Sequence, residues 1–244
     1  MTLVRSVPLL VRWQFRRLGS FIPTVMIVQL LFAVLVIFGF SILIPNLGSG
    51  AGTFLAAGAP TVIMLTIGLV LIPQTISRGR QDGSIEHLRG LPIPRASFFL
   101  ADALLWIMLM TPAIIASVLT AEYRFGLDLK LGPAFAATVL LVIVSGLGVG
   151  YGIGTILPPM LTEMITNILI FVILLFSPVN TPMTQLPGWV QAAHRPLPID
   201  DAAALVRATL LPGHGPASGF GVGVVVAWSI AGFGFALFAL NRRD

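Results

Sequence analysis

Residues 21–44 read FIPTVMIVQLLFAVLVIFGFSILI, a run with no charge and with one amide, Gln29. At 1.5 Å of rise per residue, a helix needs roughly 20 apolar residues to cross about 30 Å of hydrocarbon, and this run exceeds that length. Four more runs do so as well: 54–76, 98–120, 133–157 and 219–240. A sixth, 161–179, is shorter and carries Glu163 near its start, where a carboxylate would sit at headgroup depth. The expectation is an all-α integral membrane protein with six spans. An even number of spans puts both termini on one side.

Composition leads to the same solvent. Of the 244 residues, 57% are hydrophobic and 9% charged, against about 45–50% and about 25% in soluble domains. Water could not accommodate that much apolar surface, and lipid can. Cysteine is absent, which removes disulfide scaffolds, thiolate metal sites and cysteine nucleophiles together.

The basic residues set the orientation. With the N-terminus inside, ten fall on cytoplasmic segments: Arg5, Arg12, Arg16, Arg17, Arg78, Arg80, Arg89, Arg95, Arg242 and Arg243. Four fall outside: Arg124, Lys130, Arg195 and Arg207. The excess predicts both termini in the cytoplasm of a cell-membrane protein. The net charge of +5 on so little soluble surface is read as facing anionic headgroups, with no nucleic acid as partner.

Residues 1–20 precede the spans as a separate cytoplasmic unit, and 21–244 form a single transmembrane domain. In the former, a helix is expected over Pro8–Leu18, with Ser6 as its cap and Gly19 as its stop. Val4, Val11, Phe15 and Leu18 share one stripe and Arg5, Arg12 and Arg16 another, the pattern of an amphipathic helix lying in the membrane interface.

Two connections carry structure of their own. After the second span, Ser84 caps a short helix with Ile85 and Leu88 on one face and Glu86 and Arg89, spaced i and i+3, on the other. Gly90 ends it, and Pro92 and Pro94 forbid its continuation. After the fifth span, residues 186–211 hold Trp189, then Asp200 and Asp201 heading an alanine- and leucine-rich helix that Pro212 and Gly213 close. These short helices are expected in the outer leaflet or re-entrant between the spans.

Polar chemistry inside the spans is sparse. Asp102 lies about one turn into the third span, and an ion pair with Arg95 is expected for it. Gln29, Gln74 and Asn167 are read as helix-to-helix hydrogen-bonding groups. In the fourth span Gly146, Gly150 and Gly154 recur every four residues, with Gly148 and Gly152 on a second face, so two close helix contacts are predicted. His87, His194 and His214 lack metal-ligand spacing, no nucleophile elbow occurs, and GxxxxGK[ST] is absent. A membrane-embedded enzyme has no acid–base pair here, and a secondary transporter's ion-coupling residues and span repeat are missing too.

Taken in order, these features resemble the membrane subunit of an ATP-binding-cassette exporter of the ABC-2 type. RQDGSIEHLRGLPIPR, 80–95, is similar to that family's polar turn, Gly-Thr/Ser-hydrophobic-Glu, Leu and proline run into the third span. Ser177-Pro178, LPGWV at 186–190, RPLP at 195–198 and Arg207 resemble its outer pattern. Asp102 departs from it, since many members carry lysine at the entry to the third span. The resemblance implies that Ser84, Ile85, Glu86, Leu88, Arg89 and Pro92 form a coupling helix docking a separate cytosolic ATPase. It also implies a second membrane subunit, identical or paralogous, met through the first and fifth spans, with Gln29 and Asn167 as interface candidates. No cofactor is expected on this chain, ATP and Mg being held by the partner. The cargo so implied is an amphipathic drug, lipid or lipid-linked molecule.

Overall fold

The computed structural model describes residues 3–43, 49–85, 90, 93–180, 182–211, 213, 215 and 217–241, and every regular element among them is helical. Helix α1 (Leu3–Arg17) leads into α2 (Ile22–Leu43), the first span. The second span is continuous but built in three pieces: α3 (Ser49–Thr66), a π-helical turn (Ile67–Leu71) and α4 (Ile72–Gln81). Then follow α5 (Arg95–Phe125), α6 (Pro133–Ile156), α7 (Pro159–Phe176), the short α8 (Gly188–His194) and α9 (Ile199–Leu210), and α10 (Gly219–Asn241). Six stretches are long and apolar enough to cross a membrane, as expected.

The second and third spans outrun their expected bounds, reaching Gly52–Gln81 and Ala96–Phe125 at 30 residues each. At 1.5 Å per residue each is about 45 Å long, so both project beyond a bilayer core of about 30 Å. Residues 77–81, expected in the loop, are the last turns of α4. Their arginines do not end the helix because Arg78 is exposed and Arg80 finds carbonyl partners in α6. The third span stops where Gly126 takes a left-handed φ of 63° and returns its N–H to the Glu122 carbonyl. The fifth ends at Phe176, short of residue 179, because Ser177 is extended, as a residue before proline prefers to be.

Pro73 accounts for the π turn. Its ring carries no N–H and collides with the carbonyl four residues back, so an α-helix cannot pass through it unperturbed. Widening the preceding turn relieves the clash, and the Ile72 N–H reaches the Ile67 carbonyl instead. Gly68 sits in this wide turn. A Cβ on Gly68 would lie 2.8 Å from Gly146 Cα, and one on Gly154 would lie 2.7 Å from the Pro73 carbonyl oxygen. Gly146, Gly150 and Gly154 thus form the contact with the second span. The other predicted face, Gly148 and Gly152, meets Gly232 and Phe235 of α10. Both glycine faces are used, each on its own neighbour.

Burial ranks the spans. In the second, 89% of the most apolar 18-residue window is buried, whereas in the fifth only 17% is. The second span is the axis of the subunit, and the first and fifth turn apolar faces outward through Ile27, Leu31 and Leu35 and through Ile168, Phe171 and Leu175.

At the end away from α1, the α8–α9 hairpin returns between the spans. Ile199 and Leu197 pack in one cluster with Val62, Leu65, Val179 and Ile173. Trp228 Nε1 of α10 donates to the Pro196 carbonyl at 3.0 Å. The tip thus packs against the second, fifth and sixth spans and is covered by protein on that side.

Candidate functional site at the α1 end of the spans

Where the second and third spans project on the α1 side, four elements converge. Helix α1 lies across the start of α5, with Leu10 packed on Phe98 and Ala101 and flanked by Val7, Val11 and Ile93. The helix begins at Leu3, so Ser6 is not a cap: it is an interior helical residue, 1% exposed, on the protein-facing side. That side is Ser6, Leu10 and Gln14, a stripe the amphipathic reading did not single out because two of its three members are polar. Arg5, Arg12 and Arg16 face away from it, exposed, and Phe15 is also outward.

Side chains of Gln14 and Arg17 help to fasten α1. Gln14 Nε2 donates to Asp102 Oδ1, so the partner found for Asp102 comes from α1, 88 residues away in sequence. The expected Arg95 partner has its side chain outside the described residues. Arg17 Nη2 meets Asp82 Oδ2 at 2.9 Å, while the Arg17 guanidinium also covers the Trp13 ring at 5.5 Å. Hydrogen bonding by Ser84, more than the Arg17 charge, holds the Asp82 carboxyl below its ordinary value of 3.8. A depressed carboxylate stays ionised above that value, so this contact is lost only as pH falls through the lowered pKa and does not respond between pH 5 and 8.

Asp82 also holds the start of the segment in which Ser84 was expected as a cap. Its Oδ1 accepts the Ser84 N–H at 3.0 Å across Gly83, whose φ of 71° only glycine adopts freely, while Ser84 Oγ turns back to the Gly79 carbonyl at 3.2 Å. Ile85 packs inward against the core cluster rather than outward. It lines a cavity of about 70 Å³ together with Trp13, Gln14, Asp102, Trp106 and Tyr151. Its apolar side chain therefore ties the segment to the bundle. Glu86, His87, Leu88, Arg89 and Pro92 lie outside the described residues.

Arg80 locks the same corner. Its Nη1 donates to the carbonyls of Gly154, Thr155 and Leu157 at 3.2, 2.8 and 3.1 Å, satisfying the open end of α6. Counting basic residues could not disclose this role; Pro158 and Pro159, which end the neighbouring helix, were the available sign. Arg80→Gln is expected to cost about 1.5–3 kcal/mol, a fall of roughly 3–12 °C in Tm in detergent. An unchanged midpoint would show the contact to be dispensable.

Deeper in the spans, Gln74 Nε2 donates to Thr166 Oγ1 at 2.9 Å and to Asn167 Oδ1 at 3.5 Å, joining the second and fifth spans. Asn167 is on the exposed side of α7, whereas Gln29 is buried inside the subunit at 4% exposure. Among the described residues no group of three His, Asp or Glu side chains is placed to hold a metal ion.

Six spans around a nearly wholly buried second helix, with an amphipathic helix fastened over the joint into the third, define a multi-pass membrane protein. Comparison with known families makes the class specific: the model of the ABC-2 type transporter family matches residues 8–211, and the chain belongs to that family. It is the permease subunit of an ABC transporter and works in a membrane with an ABC ATPase. No curated protein matches it.

Proposed function

We propose that the chain is the permease of an exporter, moving an amphipathic or lipid-like molecule out of the cytoplasm or inner leaflet while separate cytosolic subunits hydrolyse ATP. The observation that carries this reading is the joint at the α1 end. A segment held at its start by Asp82, tied down by Ile85 and fastened to α1 through Arg17 joins the second span to the third. A push on such a segment is passed to the two longest spans instead of being absorbed by a loose loop. In this reading residues 84–92 form the coupling helix, with Leu88, Glu86 and Arg89 meeting the ATPase and Ile85 transmitting the load.

The joint is then cytoplasmic, as the arginine count requires. Arg78 and Asp128 are exposed at opposite ends, and the chain has no cysteine of its own. An impermeant thiol reagent applied to intact cells is expected to label Asp128→Cys and to leave Arg78→Cys unlabelled until the cells are opened. The reverse pattern would invert the topology and end the proposal.

A second membrane subunit completes the pathway. The outward apolar faces of α2 and α7 suit that contact, with Asn167 as its polar member and Gln29 behind the face of α2. Purified complex with one copy of this chain and no other membrane subunit per ATPase pair would contradict it.

A further inference from the structure

The cavity beneath α1 gathers aromatic rings around one carboxylate. At about 70 Å³ it is several times the roughly 10–15 Å³ that one water needs. Trp13 reaches it from α1, Phe98, Asp102 and Trp106 from α5, and Tyr151 from α6. Three separate helices thus build one chamber.

Its polar groups are unequally spent. Thr75, also in the lining, donates through Oγ1 to the Leu71 carbonyl at 2.8 Å. Arg17, the cation of the lining, is held by Asp82 and lies over the Trp13 ring. Gln14 gives an N–H to Asp102, and its Oε1 is left buried with no hydrogen-bond partner. Asp102 is only partly enclosed, and among the described residues Gln14 is the one side chain hydrogen-bonded to it. A secluded carboxylate and a buried amide oxygen are both costly without further partners. Around them stand Phe98, Trp106 and Tyr151, residue types whose ring faces attract cations.

We propose that this cavity binds a protonated primary amine, its ammonium donating to Asp102 and to Gln14 Oε1 among the aromatic rings. The inference goes beyond the exporter reading and depends neither on the direction of transport nor on the cargo. An ammonium supplies three donors and one positive charge, which answers both unspent acceptors at once. A quaternary ammonium brings the charge but has no N–H for Gln14. The headgroup of phosphatidylethanolamine carries the same primary ammonium as a free amine, so the test separates the two sources.

The full chain in phosphatidylcholine nanodiscs is titrated calorimetrically at pH 7 with hexylammonium, hexyltrimethylammonium and hexanol, with empty nanodiscs as the blank. Hexylammonium is expected to bind about tenfold or more tighter than hexanol, and to raise the Tm of the protein. Asp102→Asn keeps the size of the side chain and an oxygen for the Gln14 N–H, so α1 should stay fastened and Tm without ligand should hold. Its affinity for hexylammonium should nonetheless fall to that for hexanol. Equal binding of hexylammonium and hexanol by wild type overturns the proposal whatever the variant does; an Arg95 side chain already paired with Asp102 would give that result. Undiminished hexylammonium binding by folded Asp102→Asn overturns it as well. Hexyltrimethylammonium binding as tightly as hexylammonium overturns the restriction to primary amines. Weaker hexylammonium binding in nanodiscs that contain phosphatidylethanolamine overturns the assignment to a free amine in favour of the lipid headgroup.

Discussion

Gly232→Leu is expected to disassemble the fourth and sixth spans, while Gly234→Leu, two residues along the same helix, leaves the protein intact. A Cβ on Gly232 would lie 2.9 Å from Gly148 Cα, and the atoms in its way are backbone, which cannot rotate aside; around Gly234 nothing lies within 4 Å. Overpacking of a core typically costs about 1–3 kcal/mol, and a rigid backbone neighbour puts this case at the upper end or beyond. At about 2–4 °C per kcal/mol, a cost of about 3 kcal/mol is a fall of roughly 6–12 °C in Tm, with loss of a single size-exclusion peak in detergent. Equal behaviour of the two variants would mean that the spans do not meet through their glycines.

The second large effect is functional. Leu88→Asp is expected to leave insertion and thermal stability unchanged but to strip ATPase from the purified complex and abolish transport. An apolar side chain seated in the ATPase contributes about 1.5–3 kcal/mol, so its loss weakens docking by about one to two orders of magnitude. Normal co-purification together with normal transport would remove residue 88 from the interface. Ile85→Asp should behave differently. Ile85 packs into the subunit core beside the cavity at Trp106 and Tyr151, so that variant should lose stability as well as coupling, and the pair of variants separates the contact from the lever.

Sequence disclosed those features that repeat or that are long. The six apolar runs exceed any alternative explanation, and the spacing of four between Gly146, Gly150 and Gly154 named a helix face before its neighbour was known. What stayed hidden depended on partners distant in the chain. Arg95 was the nearest cation to Asp102 in sequence, yet Gln14 of α1 supplies the contact, and no local pattern marks a pairing across 88 residues. Ser6 and Ser84 resembled caps because serine favours that position. The first helix instead starts earlier, and an aspartate two residues before Ser84 accepts the N–H of Ser84 itself. The π turn was foreshadowed by Pro73 inside an otherwise unbroken run, a conflict that helices resolve by widening. The packing of the α8–α9 hairpin had no such sign, since apolar residues suit many surroundings equally; the bond from Trp228 to Pro196 and the cluster around Ile199 reveal its neighbours.

The ATPase is expected to engage the α1 end of the second and third spans. Gly90 and Asp128 are exposed at opposite ends of the subunit, and the cysteine-free chain allows a thiol-linked photo-crosslinker at each in turn. In membranes containing both proteins, illumination is predicted to yield a permease–ATPase adduct from Gly90→Cys and none from Asp128→Cys. An adduct from position 128 with none from position 90 would contradict it.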